Sequence, residues 1–164
     1  MSARVLVAGA GNIFLGDDGF GSEVVRRLEP EHWPDGVRVR DFGVAAVHLA
    51  YELEDGFDTV VLVDASARGL APGTLSVIEP ELDPAPVDEA EFLFDPHGVT
   101  PDTALALLAR VGDRVGRVLV VACEPASTDE GIGLSPPVAG AVDQAVSLVR
   151  ALVEEAVGAR TRPV

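Results

Sequence analysis

Apolar residues along this chain switch between two spacings, and the switching reads as strand, helix, strand. Arg4–Ala8 (RVLVA) is a short apolar run of strand type. Asp17–Leu28 then sets Phe20, Val24 and Leu28 on one helical face. After a turn at Pro34-Asp35-Gly36, Val37–Asp41 returns to strand spacing, and Ala45–Leu53 reads as a short helix. Thr59–Asp64 (TVVLVD) is apolar and β-branched almost throughout, as expected of a central strand covered on both faces. Thr74–Ile78 follows the turn Ala71-Pro72-Gly73 too closely for a helical crossover, which predicts an antiparallel neighbour.

Residues 79–99 break this rhythm. The stretch EPELDPAPVDEAEFLFDPHGV is acidic, rich in proline and without period, and a loop of that length in a compact domain is usually functional. Thr100 then caps a helix with Pro101 at its first position and apolar residues through Val111. Arg117–Cys123 is a second buried strand. Ser135 and Pro136 repeat the cap-plus-proline signal ahead of a long amphipathic helix marked by Val138, Val142, Ala145, Val149 and Leu152.

The alternation predicts an α/β fold: a three-layer α/β/α sandwich around a five-stranded, mostly parallel twisted sheet with one antiparallel strand. One domain is expected over 1–157, with 158–164 as a frayed C-terminal tail. In such sheets ligands bind beyond the carboxyl ends of the strands. Gly11–Asp18, Asp41–Ala46 and Asp64–Arg68 all follow strands and are expected on that edge.

Charge narrows the chemistry. The chain of 164 residues carries a net charge of −15, which disfavours nucleic acid and anionic membranes and tolerates cations. All twelve basic residues are arginine. Without lysine there is no Schiff base and no Walker A phosphate loop. No segment reaches the roughly 18–20 continuous apolar residues of a membrane helix. The N-terminus has no signal-peptide layout, and Cys123 is the single cysteine. Both point to the cytoplasm.

The segment GAGNIFLGDDGFG at 9–21 joins the first strand to the first helix, the usual place of a phosphate cradle. A dinucleotide fingerprint would need glycine where Phe14 stands, and Asp17 and Asp18 would repel a pyrophosphate. Taken singly, the acids have plain structural readings. Asp17 or Asp18 caps the helix that follows, Asp64 caps a loop, and His97 in FDPHG is an exposed turn residue. Taken together, two carboxylates and an imidazole at one edge suit a divalent metal with open positions. No G-x-S-x-G motif is present, and Cys123 ends a buried strand.

The opening pattern is similar to that of the nickel–iron hydrogenase maturation endopeptidases: G-x-G-N, a short apolar stretch, then D-D/E-G-x-G. Here it is Gly9-Ala10-Gly11-Asn12 and Asp17-Asp18-Gly19-Phe20-Gly21. LVDA at 62–65 resembles the family's third-strand aspartate, FDPHG at 94–98 its loop histidine, and Gly133-Leu134-Ser135-Pro136 the approach to its last helix. One loop departs: Asp41-Phe42-Gly43-Val44-Ala45-Ala46 stands where the family often has D-G-G-T-x-G.

The resemblance implies catalytic residues and metal ligands at Asp18, Asp64 and His97, with Asp17 as the cap. It implies a cytoplasmic hydrolase, an aspartic-type or metal-assisted endopeptidase. Such an enzyme removes a C-terminal extension from a hydrogenase large-subunit precursor after nickel insertion. The nickel would be supplied by that precursor, with zinc or cadmium as possible surrogates in crystals. Water could be activated by the metal or by a carboxylate. Two other readings stand beside this one: a non-catalytic chaperone that binds nickel or the precursor, and a serine hydrolase using Ser66 and His97.

Overall fold

The computed structural model describes residues 2–80, 110 and 114–161. Five strands form one sheet: β1 (Val5–Ala10), β2 (Val37–Gly43), β3 (Phe57–Ala65), β4 (Leu75–Ile78) and β5 (Val115–Cys123). Their order is β2-β1-β3-β5-β4. All neighbours are parallel except β4, which runs antiparallel to β5 with Leu75 opposite Cys123. The turn at Ala71-Pro72-Gly73 thus does reverse the chain, as its brevity requires.

The sequence patterns of the strands match their places in the sheet. β1 and β3 are buried almost throughout and occupy the interior, whereas β2 (VRVRDFG), with its alternating arginines, lies at an edge. Successive side chains along a strand point to opposite faces, so each interior strand feeds two cores. Val5, Val7, Val61, Val63 and Val121 pack under helices α1 (Phe20–Leu28) and α4 (Val142–Thr161), against Phe20, Val24, Val25, Leu28, Val142 and Val149. Leu6, Ala8, Val60, Leu62 and Val120 face helix α2 (Ala46–Leu53) and meet Phe42, Leu49 and Leu53. The result is the three-layer sandwich expected from the alternation. Full burial of each such aliphatic side chain contributes about 1.5–3 kcal/mol.

Some element boundaries differ from the sequence reading. The helix expected from Asp17 begins at Phe20; Gly16–Gly19 form a separate 3-10 turn ahead of it. The last helix is also divided. A short α3 (Pro136–Ala139) precedes α4, and Ala141 N–H bonds to the Val138 carbonyl at 3.0 Å in the tighter 3-10 pattern. Gly140, the weakest helix former after the prolines that open α3, marks the break. At the other end α4 continues through Thr161, so residues 158–161, expected in the frayed tail, are helical. Of the predicted helix from Thr100 to Val111 only Arg110 is described, and it is helical; most of the 79–99 loop, including His97, lies outside the described residues.

The first connection crosses β1 to β2 through α1, and the next returns past β1 to β3 through α2. The chain therefore switches direction between β1 and β3, and the carboxyl ends of these strands diverge into a crevice. Close packing of α1 onto this point depends on Gly21. A Cβ there would overlap the carbonyl oxygens of Val63 and Ala10. The substitution Gly21→Ala is expected to lower stability by about 3 kcal/mol, because the obstacle is backbone on two strands. Urea unfolding midpoints check this; an unchanged midpoint would mean that α1 can shift freely.

Candidate functional site

The crevice between β1 and β3 is bordered by the turn after β1. Gly11 has φ +129, and its N–H donates to the Gly43 carbonyl at 2.9 Å, joining this turn to the loop after β2. A Cβ at Gly11 would overlap the Asp18 carbonyl oxygen and stand 3.5 Å from Asp64 Oδ1. The motif's glycine therefore gives the Asp18 backbone and the Asp64 side chain room to approach the end of β1. Asp18 Oδ2 accepts the Asn12 N–H at 2.8 Å, and Asn12 Oδ1 accepts the Phe14 N–H at 2.9 Å.

Asp17 does not cap its own helix; α1 has no side-chain cap bond. Its buried carboxylate instead reaches across the molecule. It accepts the N–H groups of Ala126 (2.8 Å), Ser127 (3.1 Å) and Ser135 (2.7 Å) and the Ser135 hydroxyl (2.8 Å). Ser135, which the sequence marks as an N-cap, spends its hydroxyl on Asp17 and makes no cap bond. Burial alone would raise the Asp17 pKa. The bonds from Ser135, Ser127 and Ala126 outweigh it and hold the carboxyl below its ordinary value.

Asp64 is in the opposite condition. It ends the central strand β3 and is entirely buried. Oδ1 accepts the Ala65 N–H at 2.8 Å, while Oδ2 has no hydrogen-bond partner among the described residues. Burial pushes its pKa well above the usual carboxylate range, and repulsion from Asp18 adds to the rise against the single bond from Ala65. Neither Asp18 nor Asp64 has an ion-pair partner among the described residues. Two acids left close together without a counter-charge are costly unless a proton or cation sits between them.

Asp18 and Asp64 thus meet at one crevice. The third candidate, His97, lies outside the described residues, and among those described no group of three or more His, Cys, Asp or Glu side chains could hold a metal. The acid pair and its orphaned buried oxygen have the chemistry of a partial cation site that an incoming group would complete.

Two polar residues of this edge were not singled out from the sequence. Glu124, buried, directly follows β5, and its carboxylate accepts the N–H groups of Arg68 (2.8 Å) and Gly69 (3.1 Å), fixing the loop after β3. The signal that marks Asp64, an acid closing an apolar strand, is present here too. Asp41 at the end of β2 accepts the Ser22 hydroxyl at 2.8 Å and the Gly43 N–H at 3.0 Å. Cys123 is not a nucleophile: burial, then the nearby charges of Asp17 and Glu124, push its thiol pKa up to about 11.

The two buried acids should respond to neutralisation with opposite signs. Asp17 has a depressed folded-state pKa, so its contribution is present above the ordinary Asp range and is lost as pH falls through the lower folded value. Asp17→Asn is expected to cost about 3 kcal/mol at pH 7, and the deficit should narrow in acid. Asp64 has a raised pKa, so it favours folding while protonated and works against it as pH rises through the raised value. Asp64→Asn is expected to be more stable than wild type at pH 7 by about 1–2 kcal/mol and to lose that advantage near pH 4. Urea melts at the two pH values check both signs.

The hydrogenase maturation protease family model, HycI, matches residues 22–152. A hydrogenase 2 maturation peptidase from a Thaumarchaeota archaeon superposes with a TM-score of 0.69 at 34% identity, over 92% of this chain and 98% of that one. The hydrogenase maturating endopeptidase HybD from Escherichia coli gives 0.71 at 27% identity, over 93% of each chain. The hydrogenase 2 maturation protease of Escherichia coli K12 is 30% identical over 154 residues, 93% of this chain and 92% of its own length. Sequence and fold agree over nearly the whole molecule: the chain belongs to the hydrogenase maturation protease family, and so to the peptide-bond hydrolases.

Proposed function

We propose that this chain removes the C-terminal extension from the large-subunit precursor of a nickel–iron hydrogenase after nickel insertion, and that it reads the nickel held by that precursor. The observation that carries the reading is Asp64: a buried carboxylate beside Asp18, at the switch point of the sheet, with one oxygen that has no hydrogen-bond partner among the described residues. A protein pays to keep two such groups together without a counter-charge, and a cation that arrives with the substrate removes that cost. Asp18 and Asp64, with His97, are then the ligands that meet the substrate's metal. Processing occurs in the cytoplasm on this reading, which fits a single buried cysteine.

The division of roles follows from the environments. Asp18 is partly exposed and held by the Asn12 N–H, so it is the carboxylate that meets the substrate first. Asp64 lies deeper, where burial raises its pKa and makes its carboxylate a stronger base toward water than an exposed one. The metal, when the precursor brings it, supplies charge that polarises the scissile carbonyl or the attacking water.

Incubation with nickel-loaded and nickel-free precursor, followed by intact mass, tests this. The loaded precursor is expected to be shortened and the nickel-free one to stay intact. Asp64→Asn is expected to slow cleavage at least a hundredfold, roughly the worth of a general base or a metal ligand, without loss of fold. Ser66→Ala is expected to cleave at the wild-type rate. Binding with no change of mass would mean a chaperone, cleavage that depends on Ser66 would mean a serine hydrolase, and a normal rate in Asp64→Asn would make Asp64 structural.

A further inference from the structure

Large apolar side chains scattered singly over a surface need no explanation. Four of the six exposed large apolar side chains among the described residues gather on one edge of the sheet, while Tyr51 lies on α2 and Val77 on β4. Among the described residues, Phe14 (61% exposed), Val44 (45%), Leu70 (44%) and Ile132 (81%) occupy the loops after β1, β2, β3 and β5 respectively. Those four strands are parallel, so all four residues stand on the edge that carries Asp18 and Asp64. Four separate loops thus give this edge an apolar rim, on the same side of the sheet as Asp18 and Asp64.

Two of the four are held out to solvent by specific backbone devices. Phe14 is fixed on both sides of its peptide: its N–H donates to Asn12 Oδ1 at 2.9 Å, and its carbonyl accepts the Gly131 N–H at 2.8 Å. Ile132 lies between Gly131 (φ +152) and Gly133 (φ +106), conformations that disfavour any other residue. The hydrogen bond from Gly131 to Phe14 brings these two loops together. An exposed ring on a fixed backbone, in a turn bonded to a loop that carries an exposed aliphatic chain, has the features of residues that concentrate binding energy at protein interfaces. The same loop carries Asp129 and Glu130, exposed and without ion-pair partners among the described residues.

We infer that Phe14 and Ile132, bordered by Asp129 and Glu130, form the docking surface for the large-subunit precursor, which meets it with an apolar patch flanked by lysine or arginine. The assignment rests on the processing role proposed above and adds to it the residues that select the partner. Continuity with the acid pair identifies the occupant: whatever presents its bond to Asp18 and Asp64 must cover this rim. Charge sets its complement, since the flanking Asp129 and Glu130 and the chain as a whole are acidic. Phe14 and Ile132 are positioning residues that act through binding and take no part in the chemistry.

The test compares wild type, the double variant Phe14→Ser/Ile132→Ser, Glu130→Gln, and Val77→Ser as an exposed apolar control on the edge strand β4. Each full-length protein is assayed against nickel-loaded precursor by biolayer interferometry for Kd and by intact mass for kcat and KM. The double variant is expected to raise Kd and KM at least tenfold with kcat within twofold and the urea midpoint unchanged. Val77→Ser is expected to match wild type. Glu130→Gln is expected to weaken the loss of affinity between about 50 and 500 mM salt. Kd and KM within twofold of wild type in the double variant would overturn the docking surface and leave the processing role standing, as would a fall in kcat at constant KM. If the wild-type chain binds without cleaving, Kd alone decides the surface. If it neither binds nor cleaves, the processing role fails and the docking surface fails with it.

Discussion

The site depends on one buried carboxylate that takes no part in its chemistry. Asp17 accepts four hydrogen bonds from the segment after β5 and from the start of α3, and so ties the turn after β1 to the far side of the sheet. Charge-assisted bonds of this kind are stronger than neutral ones, and together they offset the cost of burying the charge. Because Asp17 is held there, the neighbouring Asp18 turns to the crevice instead. Backbone bonds at Asp17 and just before it, from the Gly16 N–H to the Gly131 carbonyl and from the Asp17 N–H to the Ser127 carbonyl, complete the join.

On that frame the two remaining acids carry unequal burdens. Asp18 keeps contact with solvent and one backbone bond, while Asp64 is sealed near the end of β3 with one carboxylate oxygen lacking a hydrogen-bond partner among the described residues. A folded chain keeps an unsatisfied buried oxygen where function requires it, at some cost in stability. The glycines around the crevice serve the same end. Gly11 and Gly21 mark places where backbone oxygens approach too closely for a Cβ, so the glycine-rich turn is a packing device with no room or charge for a phosphate.

Much of this was legible in local pattern. TVVLVD reads as a covered strand closed by an acid, and β3 is that strand with Asp64 at its end. The short turn at Ala71-Pro72-Gly73 announces the antiparallel β4. The division between Asp17 and Asp18 was less legible. Helix-capping chemistry gives one of the two acids to the following helix and the resemblance makes it Asp17, but the partners of Asp17 lie 109 to 118 residues further on. Ser135 shows the same override, since a sound cap signal is diverted by a stronger acceptor that no local window contains. Glu124 carries the strand-closing signal as clearly as Asp64, and only its contacts with Arg68 and Gly69 show that it holds a loop.

By itself, then, the sequence determined the order and type of the elements, the interior and edge strands, and the edge on which the acids gather. These follow from residue spacing and from the parallel arrangement that alternating elements require. The tertiary structure alone decided which acid is structural and which is left uncompensated. Hydrogen-bond satisfaction and desolvation are properties of surroundings, and the surroundings of Asp17 and Asp64 are assembled from segments that meet only when the sheet is complete.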